Sequence, residues 1–182
     1  MIDEKTEYIC QYMSRLGKIT FASDGESLTG LWLAGQKYYE STLKGAAVEK
    51  ELPVFDLTKR WLDLYLTGQE PDFKVPMAPR GSVFRQRIWK ILGEIPFGQV
   101  TTYGEIGRQL ARAEGKATMS AQAVGGAVGH NPISILIPCH RVVGSDGNLT
   151  GYAGGLDIKI KLLELEGADM EKLYRPVRGT AL

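Results

Sequence analysis

Two cysteines and two histidines are the entire stock of thiol and imidazole groups in these 182 residues. Cys10 and Cys139 lie far apart and neither belongs to a C-x-x-C pair, so a disulfide framework is not expected and a reducing compartment is. A zinc site assembled from Cys10, Cys139, His130 and His140 is formally conceivable, but it lacks paired ligand spacing, and no metal is expected. Long apolar runs are missing too: nothing approaches the roughly 20 residues a membrane-spanning helix needs. The opening Met1-Ile2-Asp3-Glu4-Lys5-Thr6-Glu7 is acidic and polar, unlike a secretory leader, so the expectation is a soluble cytoplasmic protein with no membrane partner. Net charge is small as well, at +1. It divides unevenly, however: residues 1–79 carry nine basic against twelve acidic residues (−3), and residues 80–182 carry thirteen against nine (+4). A positive second half suits contact with phosphates, although so small an excess is equally an ordinary solvated surface.

What is present is apolar material for a core, 43% of the chain, enough for one large or two small domains. Pro71, Pro76, Pro79 and Gly81 mark a linker, which divides the chain into 1–79, 80–168 and a loosely held tail at 169–182. In the first part, residues 17–22 and 27–33 read as strands joined through Ser23-Asp24-Gly25, a hairpin signal. Pro53 opens a helix in which Leu57, Trp61, Leu64 and Tyr65 fall near one face, with Asp56 and Lys59 elsewhere. No catalytic constellation is visible there, and Cys10 reads as a core residue. In the second part, Ser82 caps a helix over 83–92, where Val83, Phe84, Ile88, Ile91 and Leu92 supply the apolar spacing. Pro96-Phe97-Gly98 turns the chain into Gln99–Tyr103, and helices follow over 105–112 and 121–129, a helix-turn-helix pattern.

The helix at 121–129 is intrinsically poor: Ala121, Ala123, Gly125, Gly126, Ala127 and Gly129 surround only Gln122, Val124 and Val128. Each interior glycine costs about 0.8–1 kcal/mol relative to alanine. Two explanations stand side by side: close packing against a neighbouring segment, or entry of a slender helix into a narrow groove.

The chemistry concentrates further on. Ile133, Ile135 and Ile137 alternate with Ser134 and Leu136, predicting a buried strand that stops at Pro138 and delivers Cys139, His140 and Arg141 to its end. A lone cysteine is usually a packed one. Three polar or reactive groups directly after a buried strand alter that expectation, because an imidazole able to take the thiol proton makes a nucleophile.

The sequence Pro138-Cys139-His140-Arg141-Val142 resembles the active-site signature of the O6-alkylguanine-DNA alkyltransferases, the methylated-DNA-protein-cysteine methyltransferases. Ala123–Pro132 is similar to that family's recognition helix and asparagine hinge, and Gly151-Tyr152-Ala153-Gly154-Gly155, Lys159 and Glu166-Gly167 to its substrate loop and closing helix. The resemblance covers about residues 80–168. It implies an α/β protein: a small ribonuclease-H-like α/β domain followed by a mainly helical winged helix-turn-helix domain with the active-site cysteine. It also implies suicidal transfer of an alkyl group from O6-alkylguanine in double-stranded DNA to Cys139, with O4-alkylthymine left open, no cofactor, and a monomer bound through the minor groove. By the same resemblance His140, acting through a water and oriented by Glu166, removes the thiol proton. Tyr103 stabilises the leaving base, Asn131 braces the nucleophile's turn, and backbone groups of Cys139, Val142, Tyr152 and Ala153 read the guanine edge. Ala121, Gln122, Ala123 and Gly125 belong to the DNA-binding helix. Gln122 departs from the family, which typically carries an arginine finger there to fill the gap left by an extruded base. Arg141 is expected to lock the two domains or neighbouring loops through polar contacts. A rival reading, acyl transfer by a cysteine hydrolase, lacks a histidine from a distant segment. Another, a lesion-binding protein without catalysis, replaces the cysteine that this chain keeps.

Overall fold

The computed structural model describes residues 6–176, which divide into two compact units. Residues 6–80 with Pro132–Ser134 form the first, and residues 81–131 with 135–176 the second.

The first unit is built on a four-stranded sheet of order β3-β2-β1-β4. β1 (Glu7–Ser14), β2 (Gly17–Ser23) and β3 (Leu28–Leu33) run antiparallel, and the short β4 (Ala47–Glu49) pairs parallel with β1. The predicted hairpin is β2–β3; its turn is held by the Asp24 carboxylate, which accepts from the backbone N–H groups of Glu26 and Ser27. β3 alternates sides with a purpose. Trp32 faces one way, over a Gly30 where an added Cβ would lie 2.0 Å from the indole, and Leu31 faces the other. The edge of β3 is also covered: Leu28 exchanges backbone hydrogen bonds with Pro76 and Ala78, and Leu31 with Pro132 and Ser134. Buried Glu7 pairs with Arg80 and accepts from the Lys44 N–H, so the ends of the unit are tied by a satisfied charge.

α1 (Pro53–Tyr65) starts at a proline in its first turn, as expected. Its buried stripe differs from the predicted one. Phe55, Thr58, Leu62 and Tyr65 face inward with Val54, whereas Leu57, Trp61 and Leu64 are only half-buried. Phe55 meets Phe21 of β2 at 6.0 Å between ring centroids, and Thr58 can be buried because its hydroxyl donates to the Val54 carbonyl. The sequence pattern hid this phase because threonine does not read as a core residue.

The second unit is mainly helical: α2 (Val83–Gly93), α3 (Tyr103–Ala113), α4 (Ala121–Gly129) and α5 (Leu156–Leu165). Ser82, Thr102 and Ser120 cap the first three, each accepting from an N–H three residues on. α2 buries Ile88, Trp89 and Leu92 but leaves Val83 68% exposed, and the Trp89 indole N–H donates to the Ala127 carbonyl of α4 at 2.8 Å. A two-residue parallel ladder, β5 (Thr101–Thr102) with β6 (Val142–Val143), anchors the start of α3 to the chain just past Cys139.

Two further expectations fail. Ile133–Ile137 is not a strand. Only Ile133 makes a bridge, to Leu31; the chain then turns through Ile135, which has φ +71°, and Asn131 donates to the Ile137 carbonyl at 2.7 Å. The alternating isoleucines are buried as a coiled loop whose backbone polarity an asparagine satisfies, so alternation reported burial rather than extension. Nor is the segment after Asp169 loosely held as far as Pro176. Met170 and Leu173 pack on the cluster of Val143, Leu149 and Leu163, and Tyr174 bridges to Asn148. The last six residues of the tail, 177–182, lie outside the described residues.

The phase of α1 is directly testable. Leu62→Ala removes a fully buried side chain and is expected to cost about 3 kcal/mol in urea unfolding, whereas Leu57→Ala on the half-buried flank costs less than about half of that. Equal losses would contradict the observed phase.

Candidate active site

Cys139, His140 and Arg141 form a single 3-10 turn between Pro138 and β6, and all three are buried. Their placement depends on Asn131, at the end of α4. Its amide donates to the Ile137 carbonyl and also reaches the Cys139 Sγ at 3.2 Å. The turn is therefore held by a side chain eight positions upstream, across the irregular loop that replaces the expected strand.

Glu166 follows α5 and lies 6% exposed at the convergence of four donors. The Arg141 guanidinium grips both oxygens, Nε to Oε2 and Nη2 to Oε1, each at 2.9 Å. His140 Nε2 lies 2.7 Å from Oε1, and the Gly98 N–H donates to Oε2 at 3.2 Å. Arg141 uses its remaining arm on the Ile95 carbonyl at 2.6 Å. Its polar contacts lock the neighbouring 95–98 loop and the end of α5 together around the Cys139–Arg141 turn, one of the two outcomes anticipated for it. Gly98 is required here in two ways: its φ is +77°, and an added Cβ would sit 2.8 Å from the Glu166 carbonyl oxygen.

This geometry assigns the histidine protons. A carboxylate gripped on both oxygens by a guanidinium is an acceptor, so Nε2–H donates to it and Nδ1 keeps the lone pair. Burial pulls the imidazole below its ordinary value, more than Glu166 pulls it up, so His140 is neutral and a base near pH 7. Burial also pushes the Cys139 thiol up; the Asn131 N–H, the Lys159 charge and the turn's own N–H groups work against it. The resting group is a protonated thiol beside a neutral, oriented base.

Tyr103, the first residue of α3, donates to the carbonyls of Thr150 and Gly151 at 3.3 and 3.4 Å. Burial, with the neighbouring thiol adding to it, pushes its hydroxyl well above the usual phenol range, so it remains a donor. Tyr152 is buried with its ring edge-on to His140 at 6.3 Å; Val142 is fully buried in β6, and Ala153 is half-buried in the 151–155 loop.

Lys159 enters the sequence pattern only as part of a motif, yet it is fully buried, with Nζ donating to the carbonyls of Val142 at 2.5 Å and Thr150 at 3.2 Å. Burial pushes it down to about 8, and ionisation of Cys139 opposes that shift. Its position within an apolar helix, Leu156-Asp157-Ile158-Lys159-Ile160, was the available signal. The Thr150 and Gly151 carbonyls and the Gly98 N–H left no signal, because backbone groups have no letter in a sequence.

α4 buries Val124, Ala127 and Val128 and exposes Ala121, Gln122 and Ala123. An added Cβ at Gly125, Gly126 or Gly129 would meet no atom within 4 Å. Close packing is therefore not what keeps these positions small. Among the described residues no cluster of three potential metal ligands occurs and no helix is long and apolar enough to cross a membrane.

Residues 8–79 match the 6-O-methylguanine DNA methyltransferase ribonuclease-like domain, and residues 83–168 match the DNA binding domain of the same proteins. A methylated-DNA–protein-cysteine methyltransferase of Haemophilus influenzae is 40% identical over 160 residues, 87% of this chain and 86% of that protein. One of Methanosarcina acetivorans is 41% identical over 162 residues, covering 88% and 99%. The structure of Mycobacterium tuberculosis OGT in complex with DNA superposes with a TM-score of 0.76 at 39% identity, covering 87% of this chain and 92% of that one. A ribonuclease-like α/β domain followed by a DNA-binding domain, with a buried thiol, imidazole and carboxylate in the second, places this chain in the 6-O-methylguanine DNA methyltransferase family.

Proposed function

We propose that Cys139 is the alkyl acceptor of a DNA-repair transferase that acts once on O6-alkylguanine in double-stranded DNA. The observation that carries this reading is the Glu166–His140 pair, which presents a neutral imidazole next to a buried thiol. The thiol proton passes to Nδ1 of His140 through a bridging water, and the developing imidazolium is stabilised by Glu166. The thiolate then attacks the alkyl carbon. A sulfur–carbon bond forms, the carbon–O6 bond breaks, and its electron pair leaves with guanine, which takes up a proton to become the normal base. Tyr103, kept protonated by burial, is the donor that stabilises that departing charge. A thioether is not hydrolysed under cellular conditions, so the protein is consumed, and no cofactor takes part.

An enclosed thiol can reach a base only after the base leaves the stack, at a cost of a few kcal/mol that is smallest for a badly paired base. α4 supports entry into the minor groove: its first turn exposes Ala121, Gln122 and Ala123, and a monomer presents one such helix. The open space over Gly125 gives room for a sugar-phosphate strand to approach. Gln122, in place of an arginine, fills the vacated gap with an amide that both donates and accepts.

Three outcomes are expected. Incubation with duplex DNA bearing one O6-methylguanine adds one methyl group per molecule, mapped by peptide mass spectrometry to Cys139 and absent in Cys139→Ala; lesion-selective binding with no mass gain would leave a damage sensor instead. The acid limb of the transfer rate has its midpoint below the ordinary imidazole value of about 6.5, because His140 is depressed and stays neutral as pH falls through that value. A midpoint at or above it would count against His140 as the buried base. Replacing Gln122 by Ala slows transfer from duplex DNA about tenfold, equivalent to about 1.4 kcal/mol, while transfer from the free alkylated base is unchanged, and Gln122→Arg raises duplex affinity. Equal loss on both substrates would remove Gln122 from base extrusion.

A further inference from the structure

The stretch after α5 does something the transfer chemistry above does not use. Gly144–Leu149 is a tight turn: the Gly144 N–H donates to the Asn148 carbonyl, the Gly147 N–H to the Gly144 carbonyl, and Asp146 accepts from the Asn148 N–H. Residues 170–175 lie along it. The Tyr174 N–H donates to the Gly147 carbonyl at 3.0 Å, the Leu149 N–H donates to the Tyr174 carbonyl at 3.1 Å, and the Tyr174 hydroxyl donates to Asp146. Leu173 and Met170 pack on Val143, Leu149 and Leu163, and Arg175 pairs with Asp157 at the start of α5. The approach is close enough that an added Cβ at Gly147 would meet the Lys172 carbonyl oxygen at 1.9 Å.

One residue beyond Leu149 the chain supplies the Thr150 and Gly151 carbonyls, the acceptors of Tyr103 and, for Thr150, of Lys159. Tyr152 and Ala153 follow directly. We infer that Met170–Arg175 is a strap that positions the base-facing loop for transfer: it fixes Leu149 as the edge of a small ladder, and through it the carbonyls that hold the Tyr103 hydroxyl and Lys159. Neither Cys139 nor α4 contributes to this ladder, and Lys159, whose charge bears on the thiol, keeps the Val142 carbonyl as an acceptor outside it, so the strap acts on the transfer step rather than on thiol acidity or duplex binding. The inference rests on the alkyltransferase reading.

The test uses the full chain and single-turnover transfer from duplex DNA bearing O6-methylguanine. Tyr174→Pro removes the N–H that bonds Gly147; Tyr174→Phe keeps it and removes only the hydroxyl; a chain ending at Asp169 removes the strap entirely, a second route if the proline is accommodated elsewhere. The Pro variant and the shortened chain are expected to lose at least about tenfold in rate at saturating DNA, with half-saturation and the rate of Cys139 alkylation by iodoacetamide within about twofold of wild type, while Tyr174→Phe keeps most of the rate. Wild-type transfer by the Pro variant and the shortened chain overturns the inference, as does a loss matched by iodoacetamide labelling that reports a generally disordered unit. Absence of transfer by the unaltered protein in the same assay overturns the alkyltransferase reading itself, and the strap's role with it.

Discussion

The second unit depends on one buried carboxylate. Glu166 takes a bidentate guanidinium, an imidazole N–H and a backbone N–H, and those four donors come from the Cys139–Arg141 turn and the 95–98 loop. A buried ion pair contributes little net stability by itself, because desolvation offsets most of the attraction. What it contributes here is position. Arg141 is neighbour to His140 in the chain, so the grip that neutralises Glu166 also fixes where the imidazole points. Removing either partner leaves an uncompensated buried charge, typically worth about 3–5 kcal/mol, which makes the network costly to vary one residue at a time.

The remaining polar groups of the site are satisfied in the same economical manner. Asn131 serves a loop carbonyl and the thiol; Lys159 serves two carbonyls from different segments; Tyr103 serves two adjacent ones. Each of these side chains ties the irregular backbone around Cys139 to a helix: Asn131 to the end of α4, Tyr103 to the start of α3, Lys159 to the middle of α5. The reactive loops are irregular in course yet firmly referenced to rigid elements, the condition under which a site on loops can hold its geometry.

Much of this was legible in the sequence and some was not, for physical reasons. The caps at Ser82, the Pro53 start of α1 and the β2–β3 hairpin follow from local rules, and they appear where those rules put them. Cys139-His140 was legible because its letters are chemically distinctive, whereas Glu166 was reached only through the family resemblance, since nothing in its own stretch of sequence marks it out. Period-2 alternation over Ile133–Ile137 misled, since a largely buried loop also prefers isoleucine, and its backbone partners come from Leu31 and from the side chain of Asn131 rather than from a ladder. The inward stripe of α1 misled in the opposite sense, because a hydroxyl that bonds its own helix passes as apolar. β1 and β4 were not anticipated: β1 alternates polar and apolar weakly, and β4 is three residues long. The role of residues 170–176 rests on backbone pairing, which composition does not encode.

The protonated, enclosed state of the thiol bears on how long an unused molecule stays competent. Peroxides and electrophiles attack the thiolate, and susceptibility to oxidation follows thiolate character and exposure. Cys139 is 5% exposed with its thiol pushed toward the protonated form, so both quantities are low. For a protein that can act only once, every acceptor lost to sulfenic acid is a repair that never happens. On the proposed mechanism, burial that slows the thiol's own ionisation would lengthen the shelf life of the standing stock, and the His140–Glu166 pair beside it would release that reserve at the lesion.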